Sequence, residues 1–175
     1  MSGLIGLANR LLRPLETLAA ILAGVSLVAA MCLVATDALM RYALNNPLTF
    51  QFNFTENYLL VAIICLALPW GFRTGGFIRI SGFLAVLPPL MGSLLIRSGL
   101  LTSAGYCAVL AYLAGEKCLR AFLQGEVMLG VVDWPVYLSW LWIPIGVGLL
   151  SLRLLITALG PLSELETVHA PAEEL

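Results

Sequence analysis

The residues of this chain that could carry chemistry are few and scattered. The four cysteines, Cys32, Cys65, Cys107 and Cys118, include no Cys-x-x-Cys pair, and the single histidine is His169, near the C-terminus. Metal and redox sites need ligands at short, defined spacing, and a haem with two histidine ligands is excluded. The sequence also contains no Ser/His/Asp set and no glycine-rich phosphate loop. It therefore predicts a protein that is not an enzyme and that holds no metal or cofactor.

The composition narrows the class of protein further. Hydrophobic residues make up 61% of the 175 residues and charged residues 11%, against about 45–50% and 25% in soluble domains. Mean hydropathy is +0.99. These values exclude a soluble globular enzyme and a disordered chain, and nine Lys and Arg against ten Asp and Glu leave no basic surface for nucleic acid. An integral membrane protein with room for about four spans remains.

The charge-free stretches locate the spans, since about 20 helical residues cross the hydrocarbon core. These stretches cover residues 17–36, 57–72, 80–96, 98–115 and 134–152. The third has Pro88 and Pro89 at its centre, where they would leave backbone groups unsatisfied in lipid. We therefore predict that residues 76–87 lie along the membrane interface. The two prolines would then open a helix that continues through Arg97 to about Leu119.

The predicted fold is an all-α integral membrane protein with four transmembrane helices and an interfacial segment between helices 2 and 3. The membrane domain covers residues 15–157, with spans at about 15–40, 54–73, 92–117 and 134–155. Residues 1–14 are predicted to form an N-terminal interfacial segment and residues 158–175 an acidic cytoplasmic tail. Six positive residues would lie on one side against three on the other, which predicts that both termini are cytoplasmic.

The ionisable residues near the span ends are the candidate functional groups. Asp37 and Arg41 are four residues apart and share a helix face, either as an ion pair that ends the first span or as a contact with a partner subunit. Glu56 opens the second span, where the helix dipole favours a carboxylate; a polar contact across a subunit interface is the alternative. Glu16 has the same dipole explanation, with less to indicate a function.

The remaining candidates are membrane anchors. Arg97 either reaches the headgroups or binds an anionic lipid, and Arg79 is a further anchoring candidate. Trp70 and Trp134 fit an aromatic belt at the membrane interface.

A transporter for a hydrophilic solute needs polar groups that converge near the midplane, and the sequence shows no such set. On these grounds the chain is predicted to be a membrane scaffold.

Several short motifs give the chain a family resemblance. It resembles the small membrane subunit (DctQ-type) of tripartite ATP-independent periplasmic (TRAP) transporters over about residues 15–157. The matching motifs are Asp37-Ala-Leu-Met-Arg41-Tyr42, Asn46-Pro47-Leu48, Glu56 at the start of the second span, Leu68-Pro69-Trp70-Gly71-Phe72-Arg73, Gly75-Gly76-Phe77-Ile78-Arg79-Ile80 and Trp142-Ile143-Pro144-Ile145-Gly146. Each motif is short, but the order of the motifs, their spacing and the four-span arrangement all match the pattern of this family.

The resemblance implies a function that the residues alone do not show. It implies sodium-coupled import of an organic acid, of the dicarboxylate, keto acid or sialic acid type, across the bacterial inner (cytoplasmic) membrane. A periplasmic solute-binding protein delivers the solute, and a large permease subunit carries the solute and sodium sites. The small subunit is a non-catalytic scaffold for the large one. Candidates for subunit contacts are then Asp37, Arg41, Glu56, Trp70 and Arg73, while Arg79, Arg97 and Trp134 are candidates for anchoring in membrane lipids.

Two other functions fit the composition. A small four-span exporter would need an acidic residue embedded in the membrane, and Glu16 lies only at the edge of the first span. A membrane anchor or assembly subunit of another complex is the second alternative. Transport activity of the chain alone would favour the exporter, whereas a large permease gene and a binding-protein gene beside this one would favour the TRAP subunit.

Overall fold

In a computed structural model, residues 2–46, 48–76, 89–128 and 133–160 are described. The elements are α1 (Ser2–Leu44), α2 (Gln51–Phe54), a π-helical turn (Thr55–Leu59), α3 (Leu60–Arg73), α4 (Pro89–Gln124), β1 (Val127–Met128), β2 (Trp134–Pro135) and α5 (Val136–Leu159). Among the described residues, four helical segments are long and apolar enough to cross a membrane. The predicted all-α, four-span fold is thereby confirmed. The interfacial segment predicted at 76–87, apart from Gly76, and residues 161–175 of the acidic tail lie outside the described residues.

The first span belongs to a helix much longer than a bilayer requires. Helix α1 has 43 residues, which corresponds to about 65 Å at 1.5 Å per residue, twice the hydrocarbon thickness of about 30 Å. Residues 2–14, predicted as a separate interfacial segment, continue into the span without interruption, and Pro14 lies inside the helix. The first span therefore extends well beyond the hydrocarbon.

The second span begins irregularly and ends in a glycine cap. Helix α2 passes through the π-helical turn into α3, so that three consecutive elements cover residues 51–73. At the end of α3, Gly75 has a φ of 76°. Its N–H donates to Phe72 O, and the N–H of Gly76 donates to Gly71 O at 2.9 Å. This pair of hydrogen bonds is the Schellman arrangement, which satisfies the last carbonyls of the helix.

Helix α4 is continuous from Pro89 through Arg97 to Gln124, as the two prolines predict. A two-residue antiparallel ladder follows, in which Val127 pairs with Pro135 and Met128 with Trp134. Strands were not predicted here, because a ladder this short leaves no alternating pattern in the sequence. It places Trp134 just before the fourth span, since α5 begins only at Val136.

Helix α5 is the centre of the bundle. It packs along α4 on one side and α3 on the other, and α1 packs mainly on α3. The α1–α3 contact is built from small residues, with Ala19 and Ala23 against Ala62 and Leu66. Phe72, Ala104, Leu150 and Leu154 join α3, α4 and α5 in a second buried cluster.

Helices α3 and α5 approach each other closely at Gly146. A Cβ atom added at Gly146 would overlap the backbone carbonyl of Cys65. Only glycine permits this contact, because it lets the two backbones approach without a side chain between them. Gly148, two residues further on, meets nothing closer than Ala111 Cβ at 3.9 Å, so its neighbourhood tolerates a methyl group.

Candidate functional site

One end of the bundle contains a buried ionic cluster that joins three helices. The side chain of Glu16, on α1, is 0% exposed. Its Oε2 lies 3.2 Å from Arg73 Nη1, at the end of α3, and its Oε1 lies 3.6 Å from Arg153 Nε, on α5. We call these three residues the Glu16 cluster, and the part of the bundle around them the Glu16 end.

Further polar contacts hold the two arginines of the cluster in place. Arg73 also donates to the backbone carbonyl of Arg13 at 3.3 Å and to Thr17 Oγ1 at 3.5 Å. Arg153 Nη1 donates to Asn9 Oδ1 at 2.8 Å. A buried charge is tolerated only when it is paired and hydrogen-bonded. Arg73 meets that requirement, whereas Glu16 Oε1 and Arg153 Nε, 3.6 Å apart, are buried and paired by charge without a hydrogen bond. The ion pairs of the cluster draw α3 and α5 onto α1 around Glu16.

The sequence does not predict that these three residues meet. From the sequence alone, Glu16 is explained by the helix dipole, Arg153 adds only to the positive charge of one membrane side, and Arg73 is a candidate for a subunit contact. One signal was present: between the N-terminus and the acidic tail, Glu16 is the only acidic residue on the predicted cytoplasmic side, which carries six arginines. A single carboxylate among many cations at the span ends is the natural partner for them.

At the other end of the bundle, Asp37 organises the loop after α1. Its side chain is 9% exposed, and Oδ2 lies 3.0 Å from Arg41 Nη2. The ion pair, one of the two alternatives that the spacing allows, is therefore present, and the contact with a partner subunit stays a prediction. Asp37 Oδ1 also accepts a hydrogen bond from the backbone N–H of Leu48 at 2.8 Å, which the four-residue spacing could not predict. The side chain of Arg41 is 69% exposed, so it remains accessible beside the loop that Asp37 holds.

An aromatic cluster lies at this Asp37 end as well. The rings of Phe54, Tyr58 and Trp134 have centroids 5.1 to 5.9 Å apart. The Tyr58 hydroxyl donates to Pro135 O at 2.8 Å, and Ser139 donates to the carbonyl of Asn57. These contacts tie the π-helical turn to the start of α5. Trp134, proposed from the sequence as a lipid anchor, packs within the chain.

The other sequence candidates are not brought together. Glu56 is exposed and forms no ion pair with another described residue. Trp70 is exposed on α3, and Arg97 is half-buried on α4, where Nη2 donates to Gly160 O at 3.3 Å. Arg79 lies outside the described residues.

Apart from these polar contacts, the described interior of the bundle is mainly apolar. The two buried clusters consist of apolar residues, and Ser151, buried on α5, donates to the backbone carbonyl of Ala104. No group of three or more His, Cys, Asp or Glu among the described residues could hold a metal ion. In the described part of the chain, the side-chain contacts that join separate elements lie mostly at the two ends of the bundle.

Comparison with known proteins gives the family. The family described as tripartite ATP-independent periplasmic transporters, DctQ component, matches residues 30–164, well over half of the chain. No curated protein and no solved structure matches. The matched range contains the Asp37 end, all of α2 to α5 and two members of the Glu16 cluster, and it agrees with the four-span fold. The chain therefore belongs to the DctQ component family of TRAP transporters and is a multi-pass membrane component of such a transporter.

Proposed function

We propose that this chain is the non-catalytic small permease subunit of a TRAP transporter in the bacterial inner membrane. It would scaffold a large permease subunit for sodium-coupled import of an organic acid, of the dicarboxylate, keto acid or sialic acid type. A periplasmic solute-binding protein would deliver the solute. The family match over residues 30–164 is the observation that carries this proposal.

The distribution of polar and apolar surface supports a scaffold. A solute site needs converging polar groups near the midplane. Among the described residues, the buried ionic cluster around Glu16 and the loop contact of Asp37 lie instead at the two ends of the bundle. Large apolar side chains cover the outer faces of α1 and α4, among them Val28 and Met31 on α1 and Tyr106 and Tyr112 on α4. These faces offer extensive area to lipid and to a larger membrane partner.

For the contact with a partner we propose the exposed charges at the Asp37 end. Arg41 and Glu56 are accessible, and Asp37 holds both Arg41 and the loop that follows α1. Trp70, an exposed aromatic side chain three residues before the end of α3, is a separate contact candidate near the Glu16 end. Arg73 is occupied by Glu16, so we assign it to positioning α3 and not to direct contact.

Reconstitution tests the proposed function directly. The chain, a large permease subunit from the same organism and a matching solute-binding protein are combined in liposomes under a sodium gradient, and uptake of labelled organic acids is measured. We expect uptake only when both membrane subunits are present, together with co-purification of the two. Transport by this chain alone would contradict the proposal and favour the small exporter. A ligand screen on the binding protein identifies the solute.

Charge reversal tests the assigned contact residues. We expect Arg41→Glu and Glu56→Lys to weaken co-purification or uptake while the chain remains folded, because exposed charges act mainly on partner recognition. Arg10→Glu, at an exposed position of α1 at the opposite end, is the matched control. Normal assembly and uptake in both reversals would limit these residues to roles within the chain.

A further inference from the structure

An open groove lies beside the Glu16 cluster, between residues 13–18 of α1 and the end of α3. It has a volume of about 810 Å³ and is lined by Arg13, Pro14, Thr17, Leu18 and Arg73. Two of these five residues are arginines, one carries a hydroxyl and two are apolar. The groove therefore combines positive charge with an apolar wall.

The positive charge around this groove is not neutralised within the described chain. The Glu16 end carries Arg10, Arg13, Arg73 and Arg153, and the one carboxylate that pairs with them, Glu16, is already shared between Arg73 and Arg153. Arg13 is exposed and forms no ion pair with any described carboxylate. Arg13 can therefore pair with an anion from outside the described chain. The Thr17 hydroxyl already donates to the backbone carbonyl of Arg13 at 2.9 Å, so the guanidinium of Arg13 is the group that would bind phosphate oxygens.

The apolar wall continues along the helix. Leu18, Leu22 and Val25 lie at successive turns on one face of α1, and all three are at least half exposed. A ligand whose anionic head meets Arg13 can therefore lay a hydrocarbon chain on this stripe, in the direction of the membrane centre. A free phosphate ion would use the charge but leave the stripe uncovered.

We propose that this groove binds the phosphate of an anionic phospholipid, such as phosphatidylglycerol, with one acyl chain along Leu18, Leu22 and Val25. Basic pockets between transmembrane helices are suited to such headgroups. The bound lipid would add negative charge beside Arg13 and Arg73 at the point where α1 and α3 meet. A carboxylate from a partner protein would supply the charge but no chain for the apolar stripe.

Native mass spectrometry of the full chain, with any partners that co-purify, tests this proposal. After delipidation in neutral detergent, the protein is titrated with phosphatidylglycerol, with phosphatidylcholine and with inorganic phosphate. We expect phosphatidylglycerol to bind and Arg13→Gln to weaken it about fivefold, since one arginine near a lipid surface contributes about that factor. Arg10→Gln removes the same charge one turn earlier, outside the groove lining, and should change binding less than twofold. A melting curve confirms that both variants are folded.

Four results would overturn the proposal. Equal binding of phosphatidylcholine would remove the role of charge, and full competition by equimolar inorganic phosphate would show a free-ion site without the apolar stripe. Equal weakening by Arg10→Gln and Arg13→Gln would indicate diffuse attraction. Unchanged lipid binding in Arg13→Gln with loss of a co-purified protein would identify a partner carboxylate instead. Because lipid binding is measured without transport, failure of the proposed function would leave this result interpretable.

Discussion

Different kinds of interaction hold the helices together at the two ends of this bundle. At the Glu16 end, a fully buried carboxylate pairs with arginines from two other helices. At the Asp37 end, the contacts between elements are hydrogen bonds to backbone, packed aromatic rings and a cation–π contact, in which Lys117 Nζ on α4 lies 4.8 Å from the ring centroid of Trp140 on α5. The two ion pairs at this end each link residues four apart on one helix. Among the described residues, ion pairs between separate helices occur only at the Glu16 end.

This difference predicts an unequal response to mutation. A buried ion pair contributes little compared with an apolar replacement, but removing one partner leaves a buried charge without compensation. A neutral hydrogen bond contributes about 0.5–1.5 kcal/mol, and its loss is correspondingly mild. Loss of a single polar group should therefore cost more stability at the Glu16 end than at the Asp37 end.

The largest effect should come from Glu16→Gln. The amide keeps the size of the side chain but leaves Arg73 and Arg153 close together without their shared counter-charge. We expect a loss of about 3–5 kcal/mol in the free energy of unfolding, measured by denaturant titration in detergent micelles with circular dichroism.

Glu116→Gln is the matched control for this prediction. Glu116 pairs with Arg120 on the surface of α4, and its side chain is 40% exposed, so its loss should change the free energy by about 0–1 kcal/mol. Equal effects of the two substitutions would break the distinction between the two ends.

Sequence reasoning reached those features that depend on spacing within one helix. Charge-free windows placed four spans, the two prolines predicted the continuous helix α4 through Arg97, and the four-residue spacing of Asp37 and Arg41 predicted their ion pair. In each case the interacting groups are close in sequence, and helix geometry alone brings them together.

The Glu16 cluster could not be derived in the same way. Glu16 and Arg73 are 57 residues apart, and no periodicity specifies which faces of α1, α3 and α5 meet. That choice depends on packing, such as the alanine contact between α1 and α3 and the close approach at Gly146. The hydrogen bond from Leu48 N–H to Asp37 was missed for the same reason, because a loop conformation determines it.

The next largest loss of stability should come from the contact between α3 and α5 at Gly146, which lies between the two ends of the bundle. Gly146→Ala would place a methyl group on the carbonyl of Cys65 and force α3 away from α5. We expect a loss of about 2–3 kcal/mol from overpacking. Gly148→Ala, with its nearest contact at 3.9 Å, should stay close to wild type. If Gly146→Ala also matched wild type, the close approach would not be what aligns the two ends.

A smaller effect is expected from Asp37→Ala. The substitution leaves the Leu48 N–H without its acceptor and releases Arg41. Loss of one partner from a part-buried hydrogen bond should cost about 1–2 kcal/mol. Arg41→Gln keeps the bond to Leu48 and removes only an exposed ion pair, so it should cost less than about 1 kcal/mol. A larger loss for Arg41→Gln than for Asp37→Ala would show that the charge, and not the loop hydrogen bond, matters at this end.

Apart from the control variants, the smallest effect should come from Tyr58→Phe, which tests a single hydrogen bond at the Asp37 end. The substitution removes the hydrogen bond from the Tyr58 hydroxyl to Pro135 O but keeps the ring packed against Phe54 and Trp134. We expect about 1 kcal/mol of lost stability, while Tyr58→Ala, which also removes the ring, should cost about 3 kcal/mol or more. If Tyr58→Phe were as damaging as Tyr58→Ala, the hydroxyl and not the aromatic packing would hold the π-helical turn to α5. The Asp37 end would then depend on one buried polar contact, as the Glu16 end does.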